Sequence, residues 1–299
     1  MLVALTRGVA SGIKDCLLTY LSRKSIDIDK AIAQHRAYEE NLRQLGVYVI
    51  SMPEEPDLPD SVFVEDPAIV LDEVALIARM GAVKRQPEVN SLALVLSWFR
   101  PLKFVDGPAT FEGGDRVRVD RTLFLGVSGR TNRNGIEQVQ RVLGPYDYEV
   151  RPVEVSGCLH LTTACSYIGN NTVLLNRFWV DATQFSDFDI LDTPAEEPWA
   201  ANTVAVEGAG LIVSASFPRT RDLLAGRGFR VHVSDISELE KAEAGLSCMS
   251  QIFECRVSDL TKACPTESTQ TLAVSPASSS LSVKSPGASS TGIDLNPSQ

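Results

Sequence analysis

The sequence predicts an α/β fold assembled from a repeated unit and closed on itself rather than divided into two domains. Four strand-turn-strand segments recur at intervals of roughly 40 to 50 residues, within the period range of repeat architectures. Amphipathic helices follow several of these segments. The chain has 299 residues, 44% of them hydrophobic, which is enough to bury a substantial core. The units share no sequence signature, so the repetition lies in the order of elements.

From the N-terminus, residues 2–6 read as a strand, followed by a loop through Arg7, Gly8 and Gly12. A helix is marked by Ala31, His35, Tyr38, Leu42 and Leu45 at helical spacing, with Asp29 as its expected cap and Gly46 placed to end it. Residues 47–52 form the next strand. The octet Asp60-Ser61-Val62-Phe63-Val64-Glu65-Asp66-Pro67 comes after it. Its apolar centre has strand propensity, so it predicts a carboxylate carried to the end of a packed strand that Pro67 stops. Taken alone, it also fits a solvated acidic turn.

Residues 68–71 and 74–79 read as two strands joined at Asp72-Glu73, and a second amphipathic helix covers residues 87–99. A hairpin over residues 116–125 turns at Asp120-Arg121, and Ile136, Val139, Val142 and Leu143 mark the helix after it, ending at Gly144. Residues 164–175 turn at Gly169-Asn170-Asn171, and residues 203–213 turn at Glu207 to Gly210. A short helix over residues 221–225 follows. Beyond residue 257, Ser, Thr, Pro and Ala dominate and aromatics vanish, which predicts a disordered tail over 257–299 after a unit spanning 1–256.

Composition narrows the function. A net charge of −10 argues against binding nucleic acid or an anionic membrane, both of which call for a basic field. No span of about eighteen apolar residues occurs, and Arg7 comes too early for a secretory signal, so a cytoplasmic protein is expected. The six cysteines, at 16, 158, 165, 248, 255 and 264, are expected to be reduced. Without a Cys-x-x-Cys pair and with three histidines, a structural zinc site is not expected.

Several stretches carry reactive residue types. Phe111-Glu112-Gly113-Gly114-Asp115 places two carboxylates around a glycine turn, and Cys158-Leu159-His160-Leu161 places a histidine between leucines. Gly245-Leu246-Ser247-Cys248-Met249-Ser250 sets a cysteine among small and polar residues, where a nearby cation or imidazole would be needed to form a thiolate. Arg85 and Arg130 would suit a carboxylate if they converged on a cleft. Together these groups describe an α-amino acid with a cationic side chain, attacked by a thiol.

In order, Asp60 to Pro67, Glu112 to Asp115, Ser128 to Gly135, Leu159 to Leu161, Glu197 to Asn202 and Gly245 to Ser250 resemble the motifs of dimethylarginine dimethylaminohydrolases. That family belongs to the guanidino-modifying, or amidinotransferase, superfamily. The resemblance implies a five-bladed, pseudo-symmetric α/β propeller of ββαβ modules. It implies Cys248 as nucleophile, His160 as acid/base and Glu112 as the carboxylate that orients His160. Glu65 and Asp66 would hold the guanidinium, Asp60 and the backbone at Leu17 the α-amino group, and Arg85 and Arg130 the α-carboxylate. A main-chain group at Ala242 completes the implied set. The expected reaction converts asymmetric dimethylarginine or monomethylarginine to citrulline and dimethylamine or methylamine through a covalent thiouronium. No cofactor is expected, though inhibitory zinc at Cys248 is chemically reasonable. The partner would be the small-molecule substrate, and the protein a monomer or homodimer.

The sequence departs from the family pattern at Ala242-Glu243-Ala244-Gly245, where the family tends to have Asp-Gly at positions 243 and 244. Arginine deiminases are the rival branch, and they carry His-x-Asp where this chain has Thr162. Without that second acceptor, donors on unsubstituted arginine would go unpaired, which favours methylated substrates. A catalytically silent guanidino-binding or partner-binding protein is the alternative of another class. The presence of nucleophile, histidine and orienting carboxylate together weighs against it.

Overall fold

The structure, a computed structural model, describes residues 1–263. The first unit is incomplete: β1 (Leu2–Arg7) and β2 (Tyr48–Met52) run parallel, joined by α1 (Ile28–Gln44). The α1 cap is Asp27, whose side chain accepts from the Lys30 N–H at 3.0 Å; Asp29, the expected cap, lies inside the first turn. Gly46 ends the helix at φ +82°, as the sequence predicts, and the Val47 N–H returns to the Leu42 carbonyl oxygen at 3.1 Å.

Three complete units follow, each a hairpin, a helical connection and a third strand parallel to the hairpin's second. β3 (Ala68–Val70) and β4 (Ala75–Ile77) lead through a 3₁₀ turn, Val83–Glu88, and α2 (Val89–Leu96) to β5 (Leu102–Phe104). β6 (Arg116–Val119) and β7 (Thr122–Val127) lead through α3 (Arg133–Leu143) to β8 (Glu149–Glu154). A short helix, α4 (Leu161–Ala164), enters β9 (Cys165–Tyr167); β10 (Thr172–Leu175) and β11 (Asp189–Asp192) complete that sheet.

A fourth complete unit contains β12 (Val204–Val206), β13 (Gly210–Ser214), α5 (Pro218–Gly226) and β14 (Val231–Ser234). Finally β15 (Gln251–Glu254) pairs antiparallel with β1 and supplies the strand that the first unit lacks. The described residues thus hold five three-stranded sheets with one strand order, first joined to last. Met1 and Cys255 exchange backbone hydrogen bonds of 3.0 and 2.8 Å across this seam.

The apolar cores follow the same cycle. One cluster joins Val3 and Ile50 of the first sheet to Val70 and Ile77 of the second. The next joins Ile69 and Leu76 to Leu123 and Leu125, and another joins Val117 and Phe124 to Val173 and Leu175. Leu174 and Leu191 then meet Leu211 and Val213. Ile212 and Val206 meet Ala4 and Val49, which returns the series to the first sheet. Each sheet therefore buries its two faces against different neighbours, at about 1.5–3 kcal/mol for each fully buried large aliphatic or aromatic side chain.

Two further expectations are corrected. The octet 60–67 is not the end of a strand: it is a run of turns, with the Phe63 N–H bonded to the Asp60 carbonyl oxygen at 3.0 Å, and β3 begins after Pro67 rather than ending at it. Its apolar residues are buried because Val62 and Phe63 enter one core and Val64 the next. The tail expected to be disordered from residue 257 instead begins with α6 (Val257–Ala263), where Asp259 accepts from Arg256 Nε at 2.9 Å and Leu260 packs on the core. The rest of that predicted tail, 264–299, lies outside the described residues, as does Cys264.

Candidate active site

The cyclic order places chemistry at one recurring position, the approach to the first strand of each hairpin. Glu65 and Asp66 precede β3, Glu112 precedes β6, His160 precedes β9, Asn202 precedes β12 and Cys248 precedes β15. These residues are far apart in sequence. Hydrogen bonds between them show that the fold gathers them.

Cys248 sits in a 3₁₀ turn, Ser247–Met249, whose geometry is fixed from three sides. The Ser247 N–H donates to Asn202 Oδ1 at 3.0 Å, and Asn202 Nδ2 donates to Ser247 Oγ and to the Thr162 carbonyl oxygen, both at 3.0 Å. Ser247 Oγ donates to Glu65 Oε2 at 2.7 Å, and the Glu65 N–H donates to the Cys248 carbonyl oxygen at 3.1 Å. Behind the turn, Tyr38 and Ser250 share a hydroxyl hydrogen bond of 2.7 Å. The thiol is buried, and burial, with Glu65 and Asp66, pushes its pKa well above the ordinary value. The Gly245 N–H, 3.4 Å from Sγ, and Arg85 oppose this only in part.

His160 caps α4 and is also buried. Its Nε2 lies 2.8 Å from Glu112 Oε2, and its Nδ1 lies 3.6 Å from Asp66 Oδ1. Burial disfavours the imidazolium, but Asp66, the Glu112 hydrogen bond and Asp115 outweigh it and raise the pKa to about 9. Glu112 is the complement: burial works against its charge, yet His160, Arg85 and Arg130 hold its carboxyl down to about 2. Its other oxygen accepts from the Gly81 N–H at 3.0 Å and the Ala82 N–H at 3.3 Å. With Nε2 held on Glu112, Nδ1 is left to face Asp66.

The glycine turn explains how the two carboxylate segments come so close. A Cβ on Gly114 would stand 2.6 Å from Asp66 Oδ1 and 2.7 Å from His160 Nδ1. Only a residue without a side chain fits there.

Asp60, Glu65 and Asp66 are all buried. Burial raises Glu65 to about 7 against the pull of Arg116, whose Nη2 stands 4.0 Å away. Asp66 Oδ2 pairs with Arg85 Nη1 at 2.7 Å, whereas Oδ1 has no hydrogen-bond partner. Asp60 accepts from the Leu17 N–H at 3.1 and 3.2 Å, which brings together the two groups expected at the α-amino end. Its pKa is raised by burial.

The remaining expected residues are less uniform. Arg130 Nη1 stands 3.5 Å from Glu112, and its Nη2 donates to Thr19 Oγ1 at 3.3 Å. Arg85 is buried and spends most of its donors on Asp66 and Glu88, leaving a long 3.5 Å contact from Nη2 to the Asp60 carbonyl oxygen. Arg85 and Arg130 therefore do not form a free pair: one is packed behind the carboxylates and the other stands before Glu112. Ala242 is buried at the end of the 3₁₀ turn Glu240–Ala242. Asp66, Glu112 and His160 offer ligand atoms within 4.8 Å of one another, the set best placed among the described residues to hold a cation. Cys248, where inhibitory zinc is chemically reasonable, is not part of that set.

Four residues with positioning roles escaped assignment from sequence. Asp115 accepts from the Leu161 N–H at 2.9 Å and from Ser128 Oγ at 2.6 Å, which fixes the His160 segment. Ser247 and Asn202 clamp the turn that carries Cys248, and Glu88 pairs with Arg85 at 2.9 Å. Asp115, Ser247 and Asn202 stand inside the motifs already singled out. Glu88 is signalled by its spacing three residues after Arg85 in a helical segment.

The chain is similar to several known proteins. The family described as "N,N dimethylarginine dimethylhydrolase, eukaryotic" matches residues 19–182. The N(G),N(G)-dimethylarginine dimethylaminohydrolase of Pseudomonas aeruginosa is 36% identical over 229 residues, 76% of this chain and 90% of its own. That of Streptomyces coelicolor is 33% identical over 249 residues, 83% of this chain and 95% of its own. The solved structure of a cysteine-to-serine mutant of the Pseudomonas aeruginosa enzyme, complexed with citrulline, has a TM-score of 0.80 at 34% identity, covering 84% of this chain and 98% of that one. The N-terminal domain of a cyanobacterial arginine dihydrolase, at 18% identity, 83% and 96% coverage and a TM-score of 0.75, shares the fold.

Proposed function

Because the chain belongs to the dimethylarginine dimethylaminohydrolase family, we propose that it hydrolyses asymmetric dimethylarginine and monomethylarginine to citrulline and the corresponding methylamine. One observation carries this: His160, bound to Glu112 at 2.8 Å, faces the open oxygen of Asp66 in the same buried site as Cys248.

Asp66 and Glu65 receive the guanidinium N–H groups and hold its plane, which localises charge on the central carbon. The bound cation also favours the Cys248 thiolate, which the empty site disfavours through burial and two carboxylates. The sulfur attacks the central carbon, His160 protonates the methylated nitrogen, and the carbon–nitrogen bond breaks to release dimethylamine. A thiouronium on Cys248 remains. Neutral His160 then takes a proton from water, the hydroxide adds to the same carbon, and collapse expels the thiolate; loss of the hydroxyl proton to solvent leaves citrulline. Glu112 holds the imidazole by Nε2 throughout.

At the amino-acid end, Asp60 and the main chain at Leu17 and Ala242 would receive the ammonium group. Arg130 would receive the carboxylate, and Arg85 would act from behind by holding Asp66. The five sheets would stand as blades of a propeller around this cleft, a reading supported by the cyclic succession of shared cores. Residues 1–256 would form the catalytic unit and 264–299 an extension dispensable for turnover. Five free, buried thiols among the described residues support a reducing compartment such as the cytoplasm. Among those residues no helix is long and apolar enough to cross a membrane.

The test is to incubate purified protein and Cys248→Ser with asymmetric dimethylarginine, monomethylarginine and arginine, and to measure citrulline. Turnover of the methylated substrates, absent in the variant and slower with arginine, is the expected result. Faster turnover of arginine would instead favour a deiminase.

A further inference from the structure

The segment leading to the nucleophile turn grips a second segment, the crossing from β1 to α1. Glu243 adopts φ +60° and ψ 18°, a left-handed conformation that disfavours any residue with a Cβ. Its carboxylate accepts from three consecutive backbone N–H groups: Thr19 at 2.8 Å, Tyr20 at 2.5 Å and Leu21 at 2.5 Å. Lys241 donates to the Ser25 carbonyl oxygen at 3.0 Å, and Glu238 accepts from the Asp27 N–H at 2.9 Å. Tyr20 and Leu21 are 46% and 38% exposed, so no apolar core holds them. The charge-assisted bonds to Glu243 do.

The gripped segment borders the residues proposed for the amino-acid end of the substrate. Leu17 presents its N–H to Asp60, and Thr19 accepts from Arg130. We infer that Glu243 is a positioning residue for the amino-acid end of the substrate, setting Leu17 against Asp60 and Thr19 against Arg130. The inference rests on the proposed function. Without the carboxylate, the three N–H groups turn to water and the segment must be ordered anew at each binding event. Cys248, His160 and Glu112 are held by other bonds, so the loss falls on binding rather than on the chemical step.

The test compares wild type with Glu243→Gln, Glu243→Asp and Glu243→Gly. Glutamine presents an N–H group to donors and cannot hold all three, aspartate keeps the charge on a shorter stem, and glycine relieves the left-handed backbone. For asymmetric dimethylarginine, the expected KM rises about tenfold in the Gln and Gly variants with kcat within about threefold, and aspartate recovers part of the loss. For an N-methylated alkylguanidine lacking both α-groups, the ratio of variant to wild type should stay near one. A parallel titration of citrulline into Cys248→Ser, with and without Glu243→Gln, reads binding without turnover. Weaker citrulline binding in the double variant supports the inference even if wild type proves inactive, an outcome that would refute the proposed reaction alone. Unchanged KM and citrulline affinity, or equal losses on the truncated guanidine, would overturn it.

Discussion

Replacing Glu112 by glutamine keeps the shape of the group that holds His160 and removes its charge. His160 titrates at about 9 against an ordinary 6.5, a preference for the imidazolium worth about 3 kcal/mol. Burial is the largest single influence and opposes that preference; Asp66, Glu112 and Asp115 overcome it. Removing one of the three must therefore lower the pKa. In the proposed mechanism the first step needs protonated His160, so the sign for activity follows: activity is lost as pH rises through the His160 pKa. In wild type, kcat/KM should fall above about 9 for this reason. It should also fall below about 7, where Glu65 takes up a proton and can no longer hold a guanidinium. In Glu112→Gln the alkaline limb should move toward neutrality by about two pH units, which at pH ~8 removes about nine-tenths of the imidazolium. The assay is citrulline release at low substrate across both limbs. An alkaline limb unmoved in the variant, with only the plateau lowered, would refute the assignment and reduce Glu112 to a steric support.

The other predictions concern stability and access. Glu65 is raised from 4.5 to about 7 by burial, so its ionised form costs nothing below pH 4.5 and up to about 3 kcal/mol above 7. Glu65→Gln should therefore raise the melting temperature by several degrees at pH ~8, leave it unchanged near pH ~4.5, and abolish turnover; a melting temperature lowered at both values would contradict this. Gly114→Ala places a methyl group between Asp66 and His160 and should cost about a hundredfold in kcat with the fold retained by circular dichroism; full activity would mean the site is looser than its distances. Truncation after residue 263 should leave turnover and melting temperature unchanged. Truncation after residue 256 also removes Leu260 from the core and should cost about 1 kcal/mol in urea unfolding.

The four hairpins were legible in the sequence, and so was β2, but the third strands of the four complete units were not. In each hairpin the turn residues are unambiguous, such as Asp120 at φ +50° and Gly169-Asn170-Asn171 with φ of +84°, +51° and +56°. Buried runs such as Thr122–Val127 flank them. The third strands offer neither signal. β5 is three residues long and mostly exposed, β11 has aspartate at both ends, and β8 contains Pro152, which is tolerated because β8 lies at the edge of its sheet. These strands form because the helical connection returns the chain beside a hairpin already in place, so the template supplies what their own side chains do not. The non-local pairing of β15 with β1 has the same cause. Nothing local to either strand names its partner across the whole chain, and the pairing follows only from one sheet having to close on the last.

The same topology explains why the site was more legible than the scaffold. A fold that brings five chain entries together places one short segment from each unit against the others. Each segment then has little room and must carry its chemistry compactly. The sequence shows this compactness as Glu112-Gly113-Gly114-Asp115, as His160 between leucines, and as Cys248 between Ser247 and Met249. The octet was misread because compactness there conflicts with propensity: Val62, Phe63 and Val64 have strand character, but their burial is divided between two cores, and no flat ladder reaches both. The succession of turns sends the apolar side chains into those cores and leaves Glu65 against Ser247 and Asp66 against Arg85 and His160. Local propensity lost because three apolar side chains had two different places to go, and the two carboxylates were directed inward by the same turns.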